Sequence, residues 1–262
     1  MKVNLHTHTY RCGHATGTER EYIERAIENG IEVMGFSDHA PFIFPNGYES
    51  PHRVPLSEAK DYVEDITALR EEYKDKIDIK IGFEMEYYPL YFKDMLKVAL
   101  DAGAEYLIMG EHFLRNEVPE IHSAMSSRLK NDENDLRDYV DAVCEGIATG
   151  VYTYVAHPDM VLFDENEFYF EQMRRICKAA KKYDVPLEIN FQGARLKRIY
   201  PRDSFWKIAG EEGCKVVFGL DAHAAVEAYD GASLELAKSI VEKYNLNLIE
   251  YPEIRDIRNI KI

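Results

Sequence analysis

Along the chain, short runs rich in β-branched and aromatic residues alternate with longer segments whose apolar positions recur every three or four residues. The short runs predict strands over Lys2–Leu5, Val33–Phe36, Ile77–Phe83, Tyr106–Met109, Val151–Val155, Pro186–Ile189 and Val216–Leu220. One more, near Leu246–Glu250, would close or edge the sheet. The longer segments predict helices between them. The clearest is Thr18–Asn29, where Thr18 and Glu21 have capping-box spacing, Tyr22, Ile23, Ala26 and Ile27 form the apolar stripe, and Gly30 stands at the C-terminal cap. A second begins at Ser57, buries Ala59, Tyr62, Val63, Ile66 and Leu69, and frays through Glu71 to Lys74. Others span Phe92–Ala102, Leu136–Thr149, Glu167–Lys182, Ser204–Glu212 and Ala232–Tyr244. This rhythm is that of βαβ units and implies an α/β fold built on a parallel sheet or barrel.

With no Pro/Gly/Ser linker and no low-complexity stretch, the 262 residues are expected to form one domain spanning 1–262. The loop Pro41–Pro55 holds four of the ten prolines and is long for a βα connection, as site lids often are. A composition of 46% hydrophobic and 30% charged residues supplies a sizeable core and excludes a disordered or fibrous chain. The net charge of −15 repels a phosphate polymer, so no nucleic-acid partner is expected. Cys12, Cys144, Cys177 and Cys214 are scattered without a Cys-x-x-Cys spacing and read as free thiols. Neither a signal-peptide core nor an apolar run of about 20 residues is present, so a cytoplasmic protein without a membrane partner is expected. The oligomeric state is not legible.

The histidines change the picture because of where they fall. His6 and His8 end the first strand; His39 follows the second; Glu84 and Glu86 end the third. His112 follows the fourth, His157 the fifth, and Asp221 and His223 end the seventh. In parallel α/β folds these C-terminal strand ends converge on one edge, where ligands and catalytic groups collect. Residues two apart share a strand face, so His6 with His8, Glu84 with Glu86, and Asp221 with His223 each aim two donors one way. Alternation leaves Glu84 and Glu86 equivalent; the apolar side of that strand is Ile77, Ile79, Ile81 and Phe83. Imidazoles mixed with a few carboxylates suit Zn²⁺, Mn²⁺ or Fe²⁺ and suit the hard, all-oxygen cations badly. One metal needs three or four protein donors, and here more compete for one edge, so several metals are implied. A single histidine after a strand is more often a hydrogen-bonding residue. Many titratable groups packed together without metal would carry a desolvation and repulsion cost of several kcal/mol.

At these residues the sequence resembles the PHP superfamily, named for polymerase and histidinol phosphatase, in its histidinol-phosphatase branch. The resemblance lies in His6-Thr7-His8, Cys12-Gly13-His14-Ala15, Ser37-Asp38-His39-Ala40-Pro41, Gly82-Phe83-Glu84, Gly110-Glu111-His112, His157-Pro158 and Asp221-Ala222-His223. It implies a distorted (β/α)7 barrel with a trinuclear site. By that likeness one metal is held by His6, His8, Glu84 and Asp221 and a second by Glu84, His112 and His157. The third takes His14, His39 and His223. His14 and the choice of Glu84 over Glu86 come from the resemblance alone. His52 and His122 are left for surface or supporting roles.

The chemistry implied is phosphate monoester hydrolysis by a metal-bridging hydroxide, with metals facing the phosphoryl oxygens. An aliphatic alkoxide leaves poorly and needs an acid, for which Asp38, Glu111 and His52 are candidates. Beyond the sixth strand, Arg195 and Arg198 are candidates for phosphate binding, a solvated basic loop being the alternative. The resemblance names L-histidinol phosphate as the substrate, whose cationic groups also fit an acidic protein. Another small phosphate ester is the first alternative, followed by an exonuclease-type phosphodiesterase and a metal-binding protein without turnover.

Overall fold

The computed structural model describes residues 1–118, 125–128 and 131–260. Eight strands form one sheet in chain order: β1 (Val3–Asn4), β2 (Val33–His39), β3 (Asp78–Glu84), β4 (Tyr106–Met109), β5 (Tyr152–Val155), β6 (Leu187–Asn190), β7 (Lys215–Gly219) and β8 (Asn247–Leu248). Every neighbouring pair is parallel. The helices are α1 (Glu19–Glu28), α2 (Ala59–Tyr73), α3 (Phe92–Ala102), α4 (Glu133–Thr149), α5 (Glu167–Tyr183), α6 (Phe191–Arg195), α7 (Asp203–Glu212) and α8 (Gly231–Tyr244). Among the described residues, no helix is long and apolar enough to cross a membrane.

The sheet curls until its first and seventh strands meet. A parallel bridge joins Thr7 to Ala222, and the His8 N–H donates to the Ala222 carbonyl at 3.0 Å. Lower down, the same edge of β7 is taken by β8, through Lys215–Asn247 and Val216–Leu248. Seven strands therefore close the C-terminal end, while the two-residue β8 fills the gap left by the short β1. This is the expected distorted (β/α)7 barrel.

Alternation along each strand divides the apolar residues between two cores. Ile79, Ile81 and Phe83 of β3 pack outward with α1, α2 and α3 through Tyr22, Tyr62 and Met95. Leu5, Tyr106, Ile108, Tyr154, Ala156 and Val217 fill the barrel interior beneath the site.

Helix ends follow local chemistry. The capping box at α1 forms as read, with Thr18 and Glu21 satisfying each other's backbone N–H groups. Helix α4 begins at Glu133, three residues earlier than its apolar stripe, because Asp132 accepts from Asn134 and Asp135 N–H. Helix α6 was not expected: the sequence reads there as a basic loop. Asn190 starts it by accepting from the Gly193 N–H at 3.1 Å, and five residues are too few to show a helical period. The Pro41–Pro55 loop is tied down by buried Phe42, Phe44 and Val54 and by an Ile43–Glu49 bridge.

Candidate metal centre

Glu84, the last residue of β3, is the hub of the C-terminal mouth. Its Oε2 lies 3.4 Å from His6 Nε2, 3.5 Å from His8 Nε2 and 3.3 Å from His39 Nδ1. Its Oε1 lies 2.9 Å from His157 Nε2 and 3.5 Å from His112 Nε2. Asp221 Oδ1, beyond β7, approaches His8 Nε2 at 3.3 Å and His6 Nε2 at 3.6 Å, and the two Nε2 atoms face each other at 3.1 Å. Bonds of 2.0–2.1 Å in a tetrahedron separate donors by about 3.3–3.4 Å, so these spacings are those of donors around a cation. Glu84 Oε2 and His157 Nδ1 are buried without a hydrogen-bond partner among the described residues, an arrangement that costs free energy unless something else binds there. The donor set fits borderline divalent metals.

His14, His39 and His223 form a looser group, with ring centroids 4.8–6.5 Å apart. Donor atoms of His8, His39 and His223 lie within 4.8 Å of one another, as do those of Cys12, His14 and His223. The structure thus also brings His8 and Cys12 toward this third cluster.

Burial alone would push the Glu84 carboxyl up, but the His112 and His6 imidazoles and a hydrogen bond with His157 hold it well below its ordinary value. Asp221 is likewise held down, against burial, by His6, His8 and His223. Burial, reinforced by the neighbouring His8, drives His39 well below the usual imidazole range and His223 down to about 3. Both rings therefore keep a free lone pair at neutral pH.

A second layer aims the rings. His6 Nδ1 faces Glu188 Oε1 at 2.8 Å, His112 Nδ1 faces Glu86 Oε1 at 2.8 Å, and His8 Nδ1 faces Asp38 Oδ1 at 3.3 Å. His14 Nδ1 donates to the Cys12 carbonyl at 2.8 Å, and His223 Nδ1 donates to the Asp221 carbonyl at 3.2 Å. Holding a proton on Nδ1 leaves Nε2 of His6, His8, His14 and His112 free to coordinate. Two close approaches require glycine: a Cβ at Gly110 would overlap the Glu84 carboxylate, and one at Gly219 the Glu188 carboxylate. His157 and Asp221 adopt left-handed φ values of 30° and 47°, a strain of roughly 1–3 kcal/mol each that the surrounding contacts must hold. The Glu188 carboxylate grips the His157 N–H at 3.0 Å. Arg195 Nη2 grips the Asp221 carbonyl at 3.2 Å.

These residues open onto a cavity of about 280 Å³. Of the acid candidates, His52 lines it, exposed, with its ring 5.7 Å from that of His14. Asp38 does not line it: its oxygens accept from Thr9 N–H, Thr9 Oγ1 and His39 N–H, which makes it a support for His8. Glu111 is also outside the lining, accepting from the Tyr87 N–H at 2.9 Å, with its carboxyl pushed well above the usual range by burial and by Glu86. The two arginines separate. Arg198 lines the cavity beside the Tyr200 hydroxyl, whereas Arg195 is spent on Glu227, Asp230 and the Leu220 and Asp221 carbonyls. His122 lies outside the described residues.

The sequence reading did not single out Glu188, Asn190, Gln192, Arg53 or Glu117. Glu188 and Asn190 share a face of β6, the signal used for Glu84 and Glu86. Arg53 had no such signal; it is buried in the long loop against Glu86 and Glu117.

Residues 4–192 match the PHP domain family model. The chain belongs to the PHP domain family. Among PHP relatives, a probable histidinol-phosphatase of Deinococcus radiodurans is 30% identical over 83% of this chain and 85% of its own. The histidinol-phosphatase of Bacillus subtilis is 26% identical over 86% of this chain and 94% of its own. In fold, this PHP chain is similar to the crystal structure of histidinol phosphate phosphatase from Lactococcus lactis, complexed with zinc, L-histidinol and phosphate. The TM-score is 0.71 at 21% identity, with 100% of this chain and 99% of that chain covered.

Proposed function

We propose that residues 1–262 act as one unit, a metal-dependent phosphomonoesterase that hydrolyses L-histidinol phosphate to L-histidinol and phosphate in histidine biosynthesis. The observation that carries this reading is Glu84, whose two oxygens face five imidazoles within 2.9–3.5 Å. The names of the Deinococcus and Bacillus relatives support the substrate.

His6, His8, Glu84 and Asp221 would hold one divalent ion, Glu84 with His112 and His157 a second, and His14, His39 and His223 a third, drawn from Zn²⁺, Mn²⁺ and Fe²⁺. Bound there, the metals would make a water nucleophilic at neutral pH and offset charge on the phosphoryl oxygens. The protein's own groups do the rest. Arg198, lining the same cavity, would reach a phosphoryl oxygen, with Tyr200 steadying its guanidinium. His52, at the cavity mouth, is placed to protonate the departing alkoxide. Glu188, Glu86 and Asp38 keep three of the rings in the tautomer that coordination requires. A charge of −15 sets a field that favours a substrate carrying ammonium and imidazole groups over a polyanion. The scattered, unpaired cysteines support a cytoplasmic location.

The test is a kinetic comparison of L-histidinol phosphate with sugar phosphates, nucleotides and 4-nitrophenyl phosphate. The reading expects the highest kcat/KM for L-histidinol phosphate. A nucleotide or sugar phosphate turned over more efficiently would replace the substrate while leaving the metal chemistry in place.

A further inference from the structure

The wall of the cavity carries a buried charge cluster in which Arg53 and Glu117 have no part in the hydrolysis itself. Arg53 Nη2 pairs with Glu86 Oε2 at 2.5 Å, and its Nε donates to Glu117 Oε1 at 2.8 Å. Tyr88 also donates to Glu117 Oε1, at 3.2 Å. Every bond to Glu117 falls on that one oxygen. The other, Oε2, is buried and has no partner among the described residues, although the side chain is only 2% exposed and lines the cavity. Within the cluster one arginine faces two carboxylates. A carboxylate oxygen left without a partner at that depth is costly unless a donor joins it.

We infer that Glu117, fixed by Arg53 and Tyr88, is the specificity residue that receives the ammonium group of the substrate. This rests on the proposed phosphomonoesterase reading and says which end of the ester the protein selects. The cluster is continuous with the metal centre through Glu86, which bonds His112 Nδ1, so phosphate and ammonium are gripped on one connected framework. Phe113, Met125 and Met160 supply apolar lining for the remainder of the molecule. A charge-assisted hydrogen bond in a dry pocket contributes about 10- to 100-fold in discrimination.

The experiment compares kcat/KM for L-histidinol phosphate with that for its des-amino analogue, 3-(imidazol-4-yl)propyl phosphate, in wild type, Glu117→Gln and Glu117→Asp. Thermal melting identifies the variants that fold. Wild type should prefer the amino ester, the preference should fall about 10- to 100-fold in Glu117→Gln, and Glu117→Asp should retain part of it. An undiminished preference in Glu117→Gln, including an equal loss on both esters, overturns the assignment of Glu117. Should Glu117→Gln not fold, loss of preference in the charge-retaining Glu117→Asp supports the assignment and an unchanged preference overturns it. A wild type indifferent to the amino group instead sinks the substrate reading on which the inference rests.

Discussion

Replacing Glu188 by glutamine exchanges one carboxylate oxygen for an amide nitrogen at a fully buried position. In the native protein Oε2 accepts from the His157 N–H at 3.0 Å and Asn190 Nδ2 at 2.9 Å, while Oε1 faces His6 Nδ1 at 2.8 Å. The glutamine has one oxygen, and two donors demand it on the His157 side. Its NH₂ group must then face His6 Nδ1, which has to become an acceptor. The proton moves to Nε2, the atom that faces His8, Glu84 and Asp221, and the lone pair needed for a metal is lost. The lost bond is charge-assisted and contributes about 1.5–3 kcal/mol, which corresponds to metal held roughly 10- to 100-fold less tightly. Competition with a chromogenic chelator for Zn²⁺ reads this directly, and turnover at saturating metal should recover only in part. A Glu188→Gln protein that binds Zn²⁺ as tightly as wild type would refute the tautomer argument.

Three further outcomes are expected. Arg198→Ala should raise KM for the phosphate ester about 10- to 100-fold with little change in melting temperature, whereas Arg195→Ala should lose about 1–3 kcal/mol of stability through the freed Leu220 and Asp221 carbonyls; the reverse pattern would contradict the placement of the two arginines. In metal-free protein, burial opposes a charge on His6, but Glu188, Asp221 and Glu84 hold its pKa well above the ordinary value, and Asp221 and Asp38 do the same for His8. Metal must expel those protons, so affinity should climb with pH, and calorimetry in buffers of different ionisation enthalpy should register proton release near pH 6.5; none detected would count against it. Burial pushes Asp159 up to about 7, against the hydrogen bond from the Arg202 N–H. The unfolded chain sheds that proton near pH 4 while the folded one keeps it, so the group erodes stability as pH rises from 4 to 7. Asp159→Asn should therefore stabilise the protein at pH 8, by at most about 4 kcal/mol, and barely at pH 4; urea midpoints shifted equally at both pH values would refute this.

What the sequence revealed and what it hid have one physical origin. A parallel strand delivers its C-terminal residues to a common edge whatever the loops do, so His6, His39, Glu84, His157 and Asp221 could be gathered from their strand positions alone. Alternation could not separate Glu84 from Glu86 because β3 ends at Glu84, and beyond that point the backbone no longer keeps the period of two. Glu188 was hidden for another reason: it lies inside a strand, so it reaches the site only because the barrel curls and Gly219 has no Cβ to block it. Arg53 and Arg195 illustrate the limit for long side chains. Each sits in or beside a loop, and its partners are set by tertiary contacts that no local period records.

The most direct test measures metal content and turnover together. Purified protein should carry close to three divalent transition-metal ions per chain, lose hydrolysis of L-histidinol phosphate as a chelator strips them, and regain it on addition of Mn²⁺ or Zn²⁺. Full activity in protein shown by elemental analysis to be free of metal would contradict the account.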